Sequence, residues 1–272
     1  MKYVKTFENH RAYEDYTKSE EYLTPNLSYC VAQNEPHYQK YIDPSNGHEY
    51  VDLGLESGTL WATMNVGATS NSDYGLYFQW GDSQGYESNE VGVTKNFTWS
   101  DYKWTEDDGS TFTKYEYTFE PLEPEDDAAS VAMGGKWHVP TNEQITELFA
   151  LTHSVTTIDS VSGMMFTGTN NNTLFIPFAG YADNGQVYSA GFYADIWSNE
   201  MGSEASQGSY GGMNSSNIQM YAGDKRYGLS VRGVLSGSAS SQMLQREAAA
   251  EIPIGLDEKD KEEIEKEIVE KP

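Results

Sequence analysis

The fold of this chain is decided by residues 134–149, which read GGKWHVPTNEQITELF. Thr141 and Gln144 have the spacing of a capping box, in which two side chains bond each other's backbone N–H groups at the start of a helix. Ile145, Leu148 and Phe149 then recur on one helical face. The sequence therefore predicts a helix that begins after Thr141 and buries an apolar face.

A second helix is predicted over residues 124–133, because Pro124 and the acids after it suit a first turn and Gly134 suits the end. Short apolar runs at 174–178 and 227–231 alternate with Gly, Asn and Asp, which is typical of strands. Strands therefore outnumber helices in this part of the chain. We expect five large aromatic side chains to lie mainly in one core: Trp61, Trp80, Trp137, Phe175 and Trp197.

The charge of the chain excludes several partners. With 42 acidic against 17 basic side chains, the net charge is −25, so nucleic acid would be repelled. No apolar run reaches the length of a membrane-spanning helix, so membrane insertion is not expected. Residues 137–224 contain no Lys or Arg. A ligand of this half is therefore not held through phosphate groups.

Composition divides the chain into three regions. Residues 1–46 are too few for a core, and we interpret them as an anchoring arm in which the extended segment 27–31 docks on a partner. The alternative is a strand and helix packed on the next region. Residues 47–235 form the main domain. Residues 236–272 are a Ser/Gly linker and a charged helical tail.

The tail has a thin apolar stripe made of Leu256, Ile264, Ile268 and Val269. Such a stripe is too narrow to hold a helix together alone, so the tail is either solvated, which we favour, or completed by other copies. We expect a homo-oligomer, and a trimer in preference to a dimer.

The main domain carries motifs in a recognisable order. They read YVDLGLESGTLWAT at 50–63, NVGA at 65–68, EDDAA at 125–129, GGKWHVPT at 134–141, AGY at 179–181, WS at 197–198 and SVR at 230–232. This series resembles the Fibrobacter succinogenes major paralogous domain over about residues 47–235. That domain is similar to the formylglycine-generating-enzyme branch of the C-type lectin fold, which also carries the variable proteins of diversity-generating retroelements.

The resemblance implies a compact α+β domain with two helices, a twisted antiparallel sheet and a ligand face built from irregular segments late in the chain. Two positions depart from the family pattern. His138 stands where the family usually has Arg, which puts a family salt bridge in doubt. Gly233 stands where Pro is usual, and we expect this to loosen only a chain end.

The first region carries a separate resemblance. The segments FENH at 7–10, LTPNLSYC at 23–30 and NEPHY at 34–38 resemble the leader of structural proteins of gut Bacteroidales phages, including crAss-like ones. The N-terminus also lacks the apolar stretch of a secretion signal. We therefore expect synthesis in a host cytoplasm, display on the virion surface, and contact with capsid or other virion proteins through the arm.

Catalytic chemistry finds little support in the sequence. Enzymes of this fold that oxidise a substrate cysteine use paired late cysteines, whereas this chain has only Cys30. The five histidines lack the spacing of a helical metal site. Asp126 and Asp127 are expected to be acids of a helix N-terminus rather than a catalytic pair. We expect no enzyme activity and no cofactor; calcium is a lesser alternative, at Glu123–Glu125 or residues 197–200.

A binding surface is the remaining interpretation. Residues 197–201 and 208–217 mix aromatic side chains with Ser, Asn and Gly, a composition typical of paratopes. The alternative is an ordinary solvated loop. We expect contacts with a host surface glycan or glycoprotein from five residues: Trp197, Asn199, Tyr210, Asn214 and Tyr221.

The sequence thus predicts a phage head fibre or similar virion decoration that adheres to the host through a C-type-lectin-like domain. Two alternatives remain open. One is a bacterial surface or secreted carbohydrate-binding module, and the other is a hydrolase on the same fold.

Overall fold

The computed structural model describes residues 40–89, 92–106, 109–116 and 121–236. Within these ranges the chain is mostly β-sheet with two α-helices, α1 (Ala128–Met133) and α2 (Asn142–Phe149). The strands are β1 (Tyr41–Ile42), β2 (Glu49–Asp52), β3 (Leu60–Ala62), β4 (Tyr77–Phe78), β5 (Ser88–Asn89), β6 (Gly92–Val93), β7 (Thr152–Ile158), β8 (Val161–Thr167), β9 (Thr173–Pro177), β10 (Tyr181–Asp183), β11 (Gln186–Tyr188), β12 (Tyr193–Met201), β13 (Gln207–Asn214), β14 (Ile218–Asp224), β15 (Leu229–Ser230) and β16 (Val234–Leu235).

The largest sheet has the order β14-β13-β12-β15-β4. Its pairings are antiparallel except for β12 with β15, where Ile196 lies opposite Ser230. A second sheet has the order β1-β2-β3-β16, in which Val234 lies opposite Trp61, so the end of the described domain returns to its beginning. The hairpins β7-β8-β9 form a third sheet. The described structure is thus mostly β-sheet with two helices, which makes the fold α+β or mainly β.

The domain begins earlier than the predicted boundary at residue 47. Tyr41 of β1 pairs with Tyr50 of β2, and the Asp43 carboxylate accepts a 2.9 Å hydrogen bond from the Trp137 indole nitrogen. Residues 40–46 therefore belong to the domain. The predictions for the docking segment at 27–31 and for the tail stripe at 256–269 lie outside the described residues.

The predicted capping box is confirmed. The Thr141 hydroxyl accepts from the Gln144 backbone N–H, and the Gln144 side chain accepts in return from the Thr141 N–H. Helix α1 is shorter than predicted, because residues 124–126 form a turn and Asp127 is the N-cap that accepts from Ser130 N–H. Neither helix of the described ranges has the length and apolarity needed to cross a bilayer.

The five predicted core aromatics are all buried, and three of them share one core. Trp80, Trp137 and Trp197 belong to one hydrophobic cluster, whereas Trp61 belongs to another that contains Ile145 and the inner residues of β8 and β9. The reason lies in β3, which is buried on both faces. Successive residues of a strand point to opposite faces, so Trp61 and its neighbours enter different clusters.

Gly233 does not lie at a loose end, contrary to the expectation. Its carbonyl accepts from Ala62 N–H at 2.9 Å, and a Cβ atom added there would lie 2.5 Å from Met133 Sδ. Close packing between α1 and the strand that closes the second sheet therefore leaves no room for a side chain. The neighbouring His138 ring bonds the Ser236 hydroxyl at 2.8 Å.

Trp137→Ala should lower the free energy of unfolding by about 3–5 kcal/mol, because it removes a large buried side chain and leaves a cavity. Trp137 is 1% exposed, and the matched control Phe192→Ala removes an aromatic that is 71% exposed. The control should change stability by less than about 0.5 kcal/mol. Urea unfolding followed by circular dichroism measures both variants, and equal stability of the two would contradict this core.

Candidate functional site

The glycine-rich segment that was expected to be an irregular loop is a central strand. Residues 208–214 belong to β13, which pairs with β12 on one side and β14 on the other. Only residues 215–217 form a turn. Both the predicted paratope loop and its alternative, a solvated loop, are therefore wrong in conformation.

One face of this sheet is covered by α2. A Cβ atom placed on Gly211 would lie 2.6 Å from Ile145 Cγ2 and 2.7 Å from Phe149 Cζ. The apolar side of the capped helix thus rests directly on the backbone of β13. Any ligand surface of these strands has to lie on the opposite face.

The opposite face collects polar and aromatic side chains through strand register. Asp195 lies opposite Gly212, and Tyr193 lies opposite Asn214, while Tyr210 lies opposite Tyr221 on the outer strand. Because side chains alternate along a strand, these residues point to the same side. Gly212 contributes no side chain, which leaves a depression in the middle of the group.

A cavity of about 400 Å³ occupies this depression. This volume lies within the range of roughly 300–1,000 Å³ usual for small-ligand sites. Its walls come from three strands of the large sheet, from β10 and from the turn before β12. We call it the tyrosine pocket, and its lining residues are Tyr181, Ser189, Tyr193, Asp195, Tyr210, Gly212, Met213, Asn214 and Tyr221.

Ring stacking holds the walls in place. Tyr210 and Tyr221 stack with ring centroids 5.6 Å apart, and Tyr210 also meets Trp197 edge to face at 5.9 Å. Tyr181 stacks on Tyr188 at 5.5 Å on the other side of the pocket. Rings held in this way lose little conformational freedom when a ligand binds.

Gly212 determines where the Tyr221 ring can lie. A Cβ atom on Gly212 would be 2.7 Å from Tyr221 Cδ2 and 3.1 Å from Asp195 Oδ1. The ring therefore folds over bare backbone, and its hydroxyl accepts a 2.6 Å hydrogen bond from the Asn217 amide. Any side chain at position 212 would push the ring away and fill the pocket.

Asp195 is the single carboxylate among the lining residues. Its side chain is half-buried, and within the described ranges no hydrogen bond or ion pair reaches it. Removal from water disfavours the charged form and raises the pKa of Asp195 from 3.8 to about 7. Burial, followed by the charge of Asp195, also raises the pKa of Tyr210.

Two of the five predicted contacts are wrong because they are buried. Trp197 is 2% exposed, and its indole N–H donates to the Phe78 carbonyl at 2.7 Å. Asn199 is 7% exposed, and its backbone bridges Pro140 and Leu122. Both residues belong to the buried part of β12, so their side chains offer no surface to a ligand.

The other three predicted residues are brought together. Tyr210, Asn214 and Tyr221 all line the tyrosine pocket. Asn214 has a second task, because its side-chain oxygen accepts from Ser216 N–H and Asn217 N–H and so closes the turn between β13 and β14. Its contribution to a ligand is thus restricted to the amide nitrogen.

Sequence reasoning missed three important lining residues. Tyr181, Tyr193 and Asp195 are not among the five residues expected from the sequence. A usable signal existed in the alternation of Tyr193, Asp195 and Trp197, which at a period of two residues places all three on one strand face. Tyr181 joins them only through the fold, so no local signal predicts it.

The acids considered for calcium have other contacts. Glu200 accepts from the backbone and side-chain N–H groups of Asn142 at the start of α2, and Glu123 pairs with Lys114. Across the part of the chain that the structure describes, no group of three or more His, Cys, Asp or Glu is arranged to hold a metal ion. Asp127 caps α1 as expected, whereas Asp126 pairs with Lys103 and Lys114.

Comparison of the chain with protein-family models, curated proteins and solved structures finds no match. The tyrosine pocket itself is therefore the basis for a proposed function.

Asp195→Asn should stabilise the protein at pH 8 relative to the parent. Between about pH 4 and pH 7 the folded state holds a proton on Asp195 that the unfolded state releases, so the parent loses stability as the pH rises through this window. The pKa of Asp195 differs by about three units between the folded and unfolded states, so the parent loses at most about 4 kcal/mol of unfolding free energy through this group. Urea unfolding of both proteins at pH 4, 6 and 8 measures the difference, and parallel profiles would show that Asp195 titrates normally.

Proposed function

We propose that the domain binds a glycan in the tyrosine pocket and that the chain displays this domain on a phage virion. The observation that carries the first part is the lining itself, in which four tyrosines surround a cavity of about 400 Å³. Sugars have apolar ring faces and many hydroxyl groups, which suit stacking on phenol rings beside polar donors and acceptors.

Exposed aromatic side chains continue beyond the cavity. Tyr193 is 44% and Tyr221 is 38% exposed, and Phe192, in the same turn as the lining residue Ser189, is 71% exposed. Contiguous exposed apolar surface marks interaction sites more often than isolated residues do. This rim would let an oligosaccharide extend past the sugar that occupies the pocket.

A C-type-lectin-like fold, as the family resemblance implies, is part of the proposal. Two helices packed with an antiparallel sheet late in the chain support it. One feature differs from the implied arrangement, because the pocket lies on a regular sheet face rather than among irregular segments. Strands give such a site firmer walls than loops do.

The virion assignment depends on the leader resemblance in residues 1–39, which lie outside the described residues. It makes the chain a head fibre or related decoration whose arm binds capsid or other virion proteins. Many copies on one particle would raise avidity above the modest affinity of one exposed pocket. A bacterial carbohydrate-binding module would use the same pocket, so only the location of the protein separates the two.

A hydrolase has one observation in its favour, which is the raised pKa of Asp195. Glycosidases need a second carboxylate on the other side of the bond that is cleaved. Asp195 is the one acid among the lining residues of the pocket. This lining therefore favours binding over hydrolysis.

The glycan site predicts that Tyr193→Ala combined with Tyr221→Ala weakens binding about fivefold or more, because it removes two ring contacts and contacts between aromatic rings contribute about 0.5–1.5 kcal/mol each. Val155→Ala, which alters an exposed residue of β7 outside the pocket, serves as the control. A glycan array with multimerised domain identifies ligands, and titration calorimetry then compares the variants. Equal binding by the double variant at an unchanged melting temperature would refute this site.

The virion assignment predicts that mass spectrometry detects the chain in purified phage particles. Deletion of residues 1–39 should leave the domain folded and abolish its incorporation into particles. Deletion of residues 237–272 should leave incorporation unchanged. If the chain is incorporated without residues 1–39, the anchoring segment has to lie in the C-terminal region. Absence of the intact chain from particles would favour the bacterial module.

A further inference from the structure

The tyrosine pocket contains a negative charge for which its own walls provide no partner. The ionisable groups that face the Asp195 carboxylate are phenols, contributed by Tyr181 of β10, Tyr193 of β12, Tyr210 of β13 and Tyr221 of β14. Phenols are neutral at physiological pH and cannot compensate a carboxylate charge. Inside the described ranges no cation is paired with Asp195.

The cations that follow β14 in sequence are engaged elsewhere. Arg226 is ion-paired with Asp183 and Asp224. Lys225 is fully buried, where its ammonium group donates to the Tyr115 carbonyl at 2.8 Å and lies 4.7 Å from the centre of the Trp80 ring. Neither cation is available to the pocket. The preceding residues 137–224 contain no Lys or Arg.

Aromatic faces around a carboxylate form an environment that suits an ammonium ion. The face of a phenol ring carries negative charge density that attracts cations, and the attraction grows when the ion is removed from water. The carboxylate adds a charge-assisted hydrogen bond or an ion pair. The net charge of −25 would also attract a cation before it binds.

We propose that the tyrosine pocket binds the ammonium group of a sugar with a free, unacylated amine, with Asp195 as its counter-ion and the tyrosine rings as cation–π partners. This inference rests on the proposed glycan site and names the class of sugar that fits it. Arg226 already shows how this protein holds cations, since its guanidinium lies 4.6 Å from the Tyr227 ring centre and pairs with two aspartates.

The alternative ligand is a neutral sugar, and its pH dependence would differ. A neutral hydroxyl can accept a hydrogen bond from protonated Asp195, so its binding would be unchanged or stronger at low pH. An ammonium ion needs the ionised carboxylate, so its binding weakens as the pH falls through about 7, the pKa of Asp195 in the empty pocket. The two classes of sugar are therefore separable by experiment.

The first experiment compares a glucosamine trisaccharide with its fully N-acetylated counterpart by titration calorimetry at pH 7.5. The full-length chain should bind the free-amine form about tenfold more tightly, which is within the reach of a desolvated cation–π contact and an ion pair. Asp195→Asn should abolish this preference. Glu204→Gln removes one charge from an exposed residue between β12 and β13, outside the pocket, and should retain the preference.

The second experiment uses choline, whose positive charge does not change with pH. Its affinity for the parent should decrease from pH 8 to pH 5.5, approaching tenfold per pH unit below the pKa of Asp195. Binding by Asp195→Asn should be weak and independent of pH. Because Asp195→Asn is expected to be at least as stable as the parent at pH 8, loss of binding there cannot be attributed to unfolding.

The outcomes separate this inference from the proposed function. Equal binding of both trisaccharides by the parent and by Asp195→Asn would overturn the ammonium site and leave the glycan site intact. A preference that Glu204→Gln also loses would mean that general attraction to an acidic protein is responsible, which likewise overturns it. If the parent binds neither trisaccharide and does not bind choline, this inference is overturned. If the domain also binds no glycan on the array, the glycan site is refuted as well.

Discussion

The structure depends on positions in strand β13 at which no side chain fits. Three glycines of this strand each meet a neighbour at a distance that no Cβ atom tolerates. Added Cβ atoms would lie 2.5 Å from Trp80 at Gly208, 2.6 Å from Ile145 at Gly211 and 2.7 Å from Tyr221 at Gly212. Glycine inside a strand normally weakens it, so its presence here reflects close approach from both faces. The helix on one face and the pocket on the other both require bare backbone between them.

This constraint connects the fold to the site. Because α2 contacts the sheet at Gly211, the helix packs directly on the strands, and Glu200 of β12 accepts hydrogen bonds from Asn142 at the helix start. Because Gly212 leaves space on the other face, Tyr221 can fold over it and stack on Tyr210. The pocket is thus shaped by packing that begins on the far side of the sheet, and its walls are already formed before a ligand binds.

The sequence predicts the local features and misses those that depend on packing. The capping box at Thr141 and Gln144 involves residues three positions apart, so spacing is enough to find it. Residues 208–217 were interpreted as a ligand-binding surface, with a solvated loop as the alternative, because of their Gly, Ser, Asn and Tyr content. Only the positions of Trp80, Ile145 and Tyr221 explain why a strand needs glycine there. Trp197 carries the aromatic surface expected of a contact, yet its N–H is satisfied by Phe78, a residue 119 positions earlier. Three predicted contacts nevertheless line the pocket, because register between neighbouring strands brought Tyr210, Asn214 and Tyr221 to one face.

The surroundings of Asp195 differ from those of a carboxylate that supports the fold. A carboxylate that stabilises a fold is surrounded by donors, as Asp43 is by Ser45 and Trp137, and these hydrogen bonds lower its pKa against the opposing effect of burial. Asp195 has no such donors in the described structure, and desolvation alone raises its pKa. The folded protein therefore holds an acid in a place that costs stability at neutral pH. Strained or uncompensated groups persist where the cost is offset by a function that uses them. A ligand that supplies a positive charge beside Asp195 would remove this cost on binding, so part of the affinity would come from relief of an unfavourable buried charge.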